Sequence, residues 1–246
     1  MDRLVYTAYS GLRGRMSAQA AIANNLANGS TIGFRADTFN FEQLALKGTG
    51  FDSRALTSEE VVDADRKGGA VLSTGRDLDV AIDGDAWMAV QAGDGEEAYT
   101  RRGDLTIAPS GVLQTGDGFP VIGNSGPITL PPAAKVTIGP DGSVLVVPPG
   151  GDLDKPQAID RLKLVDPKGS TTVKGLDNLL RVKDGGTLPA NLDATVKSGS
   201  LEQSNVNMTE MLIRMIENQR SYEIQAKMLS SAKDMDDGGA SLMRMP

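Results

Sequence analysis

Residues 207–229 read NMTEMLIRMIENQRSYEIQAKML. Within that stretch Met208, Leu212, Met215, Gln219, Tyr222, Ala226 and Leu229 recur at alternating steps of four and three. That spacing keeps side chains on one stripe of a helix and is the heptad pattern of coiled coils. Asn207 stands at the N-cap position, and Glu210 three residues on makes an Asn variant of the capping box. Glu210 precedes Arg214 by four, and Glu223 precedes Lys227 by four, the favourable order for helical ion pairs. Met211, Ile213 and Ile216 widen the apolar surface beyond one stripe, and a helix apolar on several sides expects several neighbours. Asp236-Asp237-Gly238-Gly239 weakens the helix near its end, though Ala240 to Met245 could resume it.

The opposite end of the chain carries the same pattern. Val5, Tyr9, Leu12, Met16, Gln19, Ala23 and Leu26 alternate at four and three, and Asn28-Gly29 supplies a C-terminal stop. Gly11 and Gly14 each cost about 1 kcal/mol relative to Ala inside a helix, so this helix needs packing to hold it. The first helix ends near Asn28 and the last begins near Asn207, so the two are expected to run antiparallel. Matching their ends puts opposed residues at numbers summing to about 234–235, with Leu12 facing Tyr222.

Between the helices the texture changes. Leu78 to Ile82, Trp87 to Val90, Val136 to Ile138 and Val144 to Val147 are short apolar runs. They are separated by Asp83-Gly84, Asp94-Gly95, Ser110-Gly111, Asp117-Gly118, Asp141-Gly142 and Gly150-Gly151. Short strands with turn signals at this spacing predict an antiparallel sandwich or barrel-like domain. The expected fold class is α+β: N- and C-terminal helices paired as an antiparallel coiled-coil-like hairpin, flanking a mainly antiparallel β domain. Residues 1–34 and 200–246 form the helical core domain, 35–75 an extended connector with strand character at Phe39 to Leu46, and 76–199 a β-rich outer domain.

Composition narrows the function. The net charge is −7 and no basic cluster exceeds Arg101-Arg102, which argues against a nucleic-acid partner. No cysteine and no histidine occurs, which removes thiolate metal sites, haem ligation by His and every Ser-His or Cys-His catalytic arrangement. The acidic run Asp77, Asp79, Asp83, Asp85 fails the calcium-loop pattern, because Ala81 and Ile82 fall where a ligand and a glycine are needed. No phosphate-binding glycine motif is present. The expectation is therefore no catalytic residue, no metal and no cofactor. No run of about 20 apolar residues suggests a membrane span, and none of about 7–15 suggests a secretory signal. A secreted β-domain enzyme and an adhesin-like binding module remain the competing classes; the first needs a cleft with perturbed ionisable groups.

Asn24-Asn25-Leu26-Ala27-Asn28, followed by Gly33 and Phe34, resembles the N-terminal signature of the flagellar rod and hook proteins. Gly199-Ser200-Leu201-Glu202, then Asn205-Val206 and Arg220-Ser221-Tyr222-Glu223, resembles the C-terminal signature of that family. Leu78 to Gly84, Tyr99 to Asp104 and Gly111-Val112-Leu113 are similar to its middle. The opening Met1 to Tyr6 and the modest length are most similar to the proximal rod branch, with the distal rod branch as runner-up. Membership implies a structural subunit of the bacterial flagellar basal-body rod that transmits torque and lines an export channel. It implies export by the flagellar type III apparatus without signal cleavage, assembly in the periplasm, and contacts with copies of itself and with FlgB, FlgC and FlgG. The implied assembly seam is Val5, Tyr9, Leu12, Met16, Ala23, Leu26, Met208, Leu212, Met215, Tyr222, Ala226 and Leu229.

Overall fold

The computed structural model describes residues 2–45, 55–152, 155–183 and 185–242, with side chains described over 9–38 and 64–235, residue 232 apart, and at 238. It divides into two compact units. One comprises Met1–Ala27, Asp37–Val62 and Asn207–Pro246; the other comprises Asn28–Ala36 and Asp63–Val206. Residues 28–34 and 200–206, expected with the helices, thus cluster with the β unit.

The helical unit is built on α1, Asp2–Ala27, and α2, Met208–Leu242. Asn207 Oδ1 accepts from the amides of Thr209 and Glu210 at 3.1 and 3.2 Å, which satisfies two of the free donors at the start of α2. Glu210 does not close the box. Its carboxylate accepts from Arg214 Nη2 at 2.6 Å, one turn on. The backbone of α2 continues through Gly238 to Leu242, since two glycines cost about 2 kcal/mol and do not by themselves stop a helix already propagating. In the same unit a strand at Asp37–Ala45 pairs with one at Ala55–Ala64. Of the strand character expected at Phe39 to Leu46, Leu46 lies outside the described residues.

The helices contact each other through a face the apolar periodicity did not mark. On α1 the buried positions are Gly14, Ala18, Ala21, Ile22 and Asn25. On α2 they are Met211 and Asn218, with Met215, Gln225 and Leu229 half-buried along the same stripe. Asn218 Nδ2 donates to Arg15 O and to Gln19 Oε1, both at 2.9 Å, and a Cβ added at Gly11 would meet Gln225 Oε1 at 3.4 Å. These contacts run antiparallel. The contacts of Asn218 with Arg15 and Gln19 and of Gln225 with Gly11 lie close to the expected register, while the seam residues divide in this chain: Tyr9 and Met16 are 63% and 61% exposed, Met208, Leu212 and Tyr222 are exposed, and so is Ala23. Leu12, Leu26, Met215, Ala226 and Leu229 are half-buried; the side chain of Val5 lies outside the described residues. The physical reason is size. Gly11, Gly14, Ala18 and Ala21 let the two backbones approach closely, so the small stripe of α1 turns inward beside Ile22, while Tyr9 and Met16 turn out.

In the β unit, antiparallel pairing runs throughout the described strands. A five-stranded sheet has the order Leu164–Val165, Trp87–Gln91, Glu97–Thr100, Leu180–Val182, Thr172–Lys174. A three-stranded sheet joins Lys135–Ile138, Ser143–Val147 and Gln157–Arg161, with a register shift between Val144 and Leu145. The central strand Trp87–Gln91 is buried on both faces. Met88 and Val90 enter the larger core with Val80, Leu105 and Val144, while Trp87 and Ala89 enter a smaller one with Val165 and Leu188. Tyr99 anchors that smaller core: its hydroxyl accepts from Leu188 N at 2.6 Å and donates to Glu97 Oε1 at 3.0 Å. Burial pushes its phenol up to about 12. Every Asp-Gly or Ser-Gly turn read from the sequence places its glycine at positive φ, between 64° at Gly84 and 87° at Gly118. The acidic run is dispersed into separate ion pairs and hydrogen bonds: Asp77 to Lys135, Asp79 to Arg76, Asp85 to Lys168, and Asp83 to Thr195.

Candidate functional site

Two features carry the chemistry of this chain, one in each unit. In the helical unit, the outward face of α2 presents Leu212, Ile213, Ile216, Ile224, Met228 and Met235, each between 48% and 70% exposed. On α1, Tyr9, Met16, Ala20 and Ala23 are exposed. A hollow of about 470 Å³ lies along the groove between the two helices, lined by Met16, Gln19, Ala20 and Ala23 of α1 and by Asn218, Gln219 and Tyr222 of α2. Isolated exposed apolar residues are normal, whereas several on one helix face are a feature that a monomer does not require. Below it, Asn25 makes a two-point bond to the backbone of Asp37: its Nδ2 donates to Asp37 O at 3.0 Å and its Oδ1 accepts from Asp37 N at 2.7 Å. Asn24 Nδ2 donates to the Asp37 carboxylate at 2.6 Å. An amide is the side chain that can offer donor and acceptor together, so the Asn24-Asn25 pair ties the end of α1 to the start of the following strand.

In the β unit, a buried charge triad closes the return of the chain. Glu202 is 1% exposed and lies between two guanidiniums that are each 3% exposed. Its Oε1 accepts from Arg35 Nη2 at 2.6 Å and from Gly69 N at 2.8 Å; its Oε2 accepts from Arg101 Nε at 2.8 Å. Arg101 also donates to the carbonyls of Ile82, Gly84 and Ala86. Burial pulls the Arg101 guanidinium below its usual range, and the carboxylate opposes that shift. The Arg35 guanidinium stands 5.9 Å from the centre of the Trp87 ring, within cation–π range. The backbone repeats the closure, because Gly33 N donates to Glu202 O at 2.8 Å. Asn205 accepts from Ala36 N at 2.8 Å and donates to the carbonyls of Asp65 and Lys67. Phe34 is buried under Lys174, whose Nζ lies 3.8 Å from its ring centre.

Residues 81–146 match the family described as flagellar hook protein FlgE/F/G D1 domain, and residues 197–242 match the one described as flagellar basal body rod FlgEFG protein C-terminal. Over the full length of both chains, the sequence is 38% identical to the flagellar basal-body rod protein FlgF of Escherichia coli strain K12. The chain belongs to the flagellar basal-body rod protein family. It is 37% identical, again end to end, to FlgF of Salmonella typhimurium strain LT2. It is 31% identical to FlgG of Bacillus subtilis strain 168, over 96% of this chain and 97% of that one.

As a rod protein, the chain is a structural component of the flagellum, and its signature residues read as structural devices. Asn24, Asn25, Gly33, Phe34 and Asn205 make the contacts just described. Asn28 closes the turn after α1, its carbonyl accepting from Thr31 N at 3.1 Å and its Oδ1 from the Thr31 hydroxyl at 3.1 Å. Leu26 and Val206 are half-buried, Ala27 is exposed, and Arg220, Tyr222 and Glu223 lie exposed on α2. Sequence reasoning missed the triad: Arg101 and Glu202 were inside quoted signature blocks without a role, and Arg35 follows Gly33-Phe34 directly.

Gly33 shows how tightly this closure is built. Its φ is +67°, and a Cβ there would come within 2.5 Å of the Arg101 carbonyl and the Arg102 nitrogen. Neither backbone can yield cheaply. Gly33→Ala is expected to destabilise the β unit by about 2–5 kcal/mol, adding left-handed strain to overpacking. A urea midpoint within about 0.3 M of the wild type would contradict that reading.

Proposed function

We propose that the chain is a proximal rod subunit whose terminal helices pack with those of its neighbours into the inner tube. The observation that carries this is the outward apolar face of α2, which a solitary monomer has no reason to keep. Packed this way, the helices transmit torque along the rod and line the channel for later export substrates. The implied partners are copies of the same chain and the rod proteins FlgB, FlgC and FlgG. The seam residues Tyr9, Met16, Ala23, Met208, Leu212 and Tyr222, exposed in the single chain, are then contacts between subunits. The role is structural and not catalytic. No described helix is long and apolar enough to cross a membrane, in keeping with a chain that reaches the periplasm through the flagellar type III apparatus and assembles there.

The distal rod position is the second reading, favoured by the 31% identity to FlgG of Bacillus subtilis. Deleting the gene separates the two. The proximal reading expects basal bodies that stop before the distal rod, and a rod complete to its distal segment in that strain would refute it. In a strain lacking the flagellar export apparatus, the chain is expected to stay in the cytoplasm; its recovery from the periplasm there would contradict the export route.

A further inference from the structure

The end of the β unit is seated between two stretches from its beginning. Residues 199–206, GSLEQSNV, bond to residues 33–36 on one side and to residues 65–75 on the other. Toward the first, Gly33 N donates to Glu202 O at 2.8 Å, Asn205 N to Phe34 O at 3.3 Å, and Ala36 N to Asn205 Oδ1 at 2.8 Å. Toward the second, Ser200, Leu201 and Glu202 pair antiparallel with Ser73, Leu72 and Val71. Gln203 N donates to Ala70 O and Thr74 N to Gly199 O, both at 2.8 Å. The seat is shaped for bare backbone, since a Cβ on Gly69 would overlap Gln203 O.

What holds this segment is mainly polar. Glu202 brings the two buried ion pairs, Asn205 the side-chain hydrogen bonds, and Leu201 and Val206 are only half-buried. Among the described residues, the larger core draws on Val80 through Val196 and the smaller on Ala64 through Leu188; neither includes a residue of 199–206. The two kinds of contact respond differently to an imperfect geometry. Apolar burial is non-directional and rewards an approximate collapse, whereas hydrogen bonds weaken steeply away from their final distance and angle. A buried charge is favourable only once its partners surround it. The core can therefore form on its own residues, while the segment gains nothing until its seat exists.

Chain connectivity points the same way. Val196 and Ser198 pair with Ile82 and Val80, so the last core strand ends one residue before the segment begins. From an open chain, joining Arg35 to Glu202 closes a loop across 167 positions, with the entropy cost of a long loop. From a formed core, the same contact extends a strand that is already docked.

We infer that residues 199–206 are a strap that closes on the β unit after its core has formed, so that the strap's contacts are absent from the rate-limiting step of folding. Contacts made after the barrier set how long the unit stays shut and not how fast it forms. Ala36 and Val206 are also where the chain passes out of this unit, so the closed strap holds both exits at one place.

The test uses the full-length chain, refolded from urea and unfolded into it, with Trp87 fluorescence as the signal. Asn205→Ala removes the acceptor of the Ala36 amide and the donors to the Asp65 and Lys67 carbonyls. It is expected to unfold about ten-fold faster and to refold within about two-fold of the wild type. If more than half of the lost stability appears as slower refolding, the strap belongs to the folding nucleus and the inference is overturned. A second arm needs no variant and so stands even if Asn205→Ala does not fold. In native wild-type chain, the amides of Gly33 and Gln203, bonded across the strap, are expected to be at least about ten-fold less protected from hydrogen exchange than those of Val121 and Ile128 in the core. Equal protection would make strap and core one cooperative unit and would overturn the inference as well.

Discussion

Glu202→Ala is expected to shift the urea midpoint of the β unit down by about 1.5–2.5 M. The change leaves the Arg35 and Arg101 guanidiniums facing each other at 3–4% side-chain exposure with no carboxylate between them. It also removes the acceptor of the Gly69 amide. Removing one partner of a buried charge cluster costs about 3–5 kcal/mol, because the remaining charge stays desolvated and unpaired. That is a large share of the roughly 5–15 kcal/mol that holds a domain together. With an m-value near 2 kcal/mol per molar urea, the midpoint shift follows. The chain has one tryptophan, Trp87, buried in the smaller core beside Arg35, so its fluorescence reports this unit directly. Glu202→Gln keeps the shape and one acceptor, and is expected to lose less than the alanine variant. A midpoint moved by under about 0.5 M in Glu202→Ala would mean that water reaches the two guanidiniums and that the triad is not a desolvated cluster.

The parts of this structure that sequence made legible are those where a local rule and the global fold agree. The strand Trp87–Gln91 and its neighbours announce themselves by short apolar runs, and the Asp-Gly turns by residues that accept positive φ. The α2 start at Asn207 is legible because a cap is a contact between residues three apart. The inner helix face was not legible, because periodicity was counted on large apolar residues. Gly11, Gly14 and Ala18 carry little hydrophobicity but decide how closely two backbones approach, and Asn218 sits at the contact as a polar residue. Large side chains at the same spacing face outward instead, a choice that one chain's hydrophobicity does not distinguish. The triad was hidden for a different reason. Arg35, Arg101 and Glu202 lie far apart in the sequence, and only the fold brings both guanidiniums within 3 Å of the Glu202 carboxylate. The signature residues were recognised from resemblance, while their work, tying α1 to the next strand and the returning chain to Gly33, became visible only in the contacts.

Leu212→Asp is expected to abolish swimming while leaving the isolated chain as stable as the wild type. The two halves of that statement come from one observation: Leu212 is 48% exposed on α2, away from the buried stripe of Met211 and Asn218. In the monomer an aspartate there stays hydrated, and surface substitutions away from special features usually change stability by under about 0.5 kcal/mol. In the proposed tube the same position is covered by a neighbour, and a carboxylate buried without a partner costs several kcal/mol per subunit interface. Each subunit in the rod meets that penalty, so the polymer and not the chain is what fails. The helix itself has no reason to break, because the capping contacts of Asn207 lie one turn upstream and do not involve residue 212. Three measurements check the prediction together: motility in soft agar, abundance of the variant chain in purified basal bodies, and the thermal midpoint of the purified chain. Normal swimming would show that residue 212 faces solvent or lumen in the rod, and would remove it from the assembly seam. A thermal midpoint lowered by more than about 5 °C would instead trace the loss to the monomer fold, since about 1 kcal/mol moves a domain of this size by about 2–4 °C.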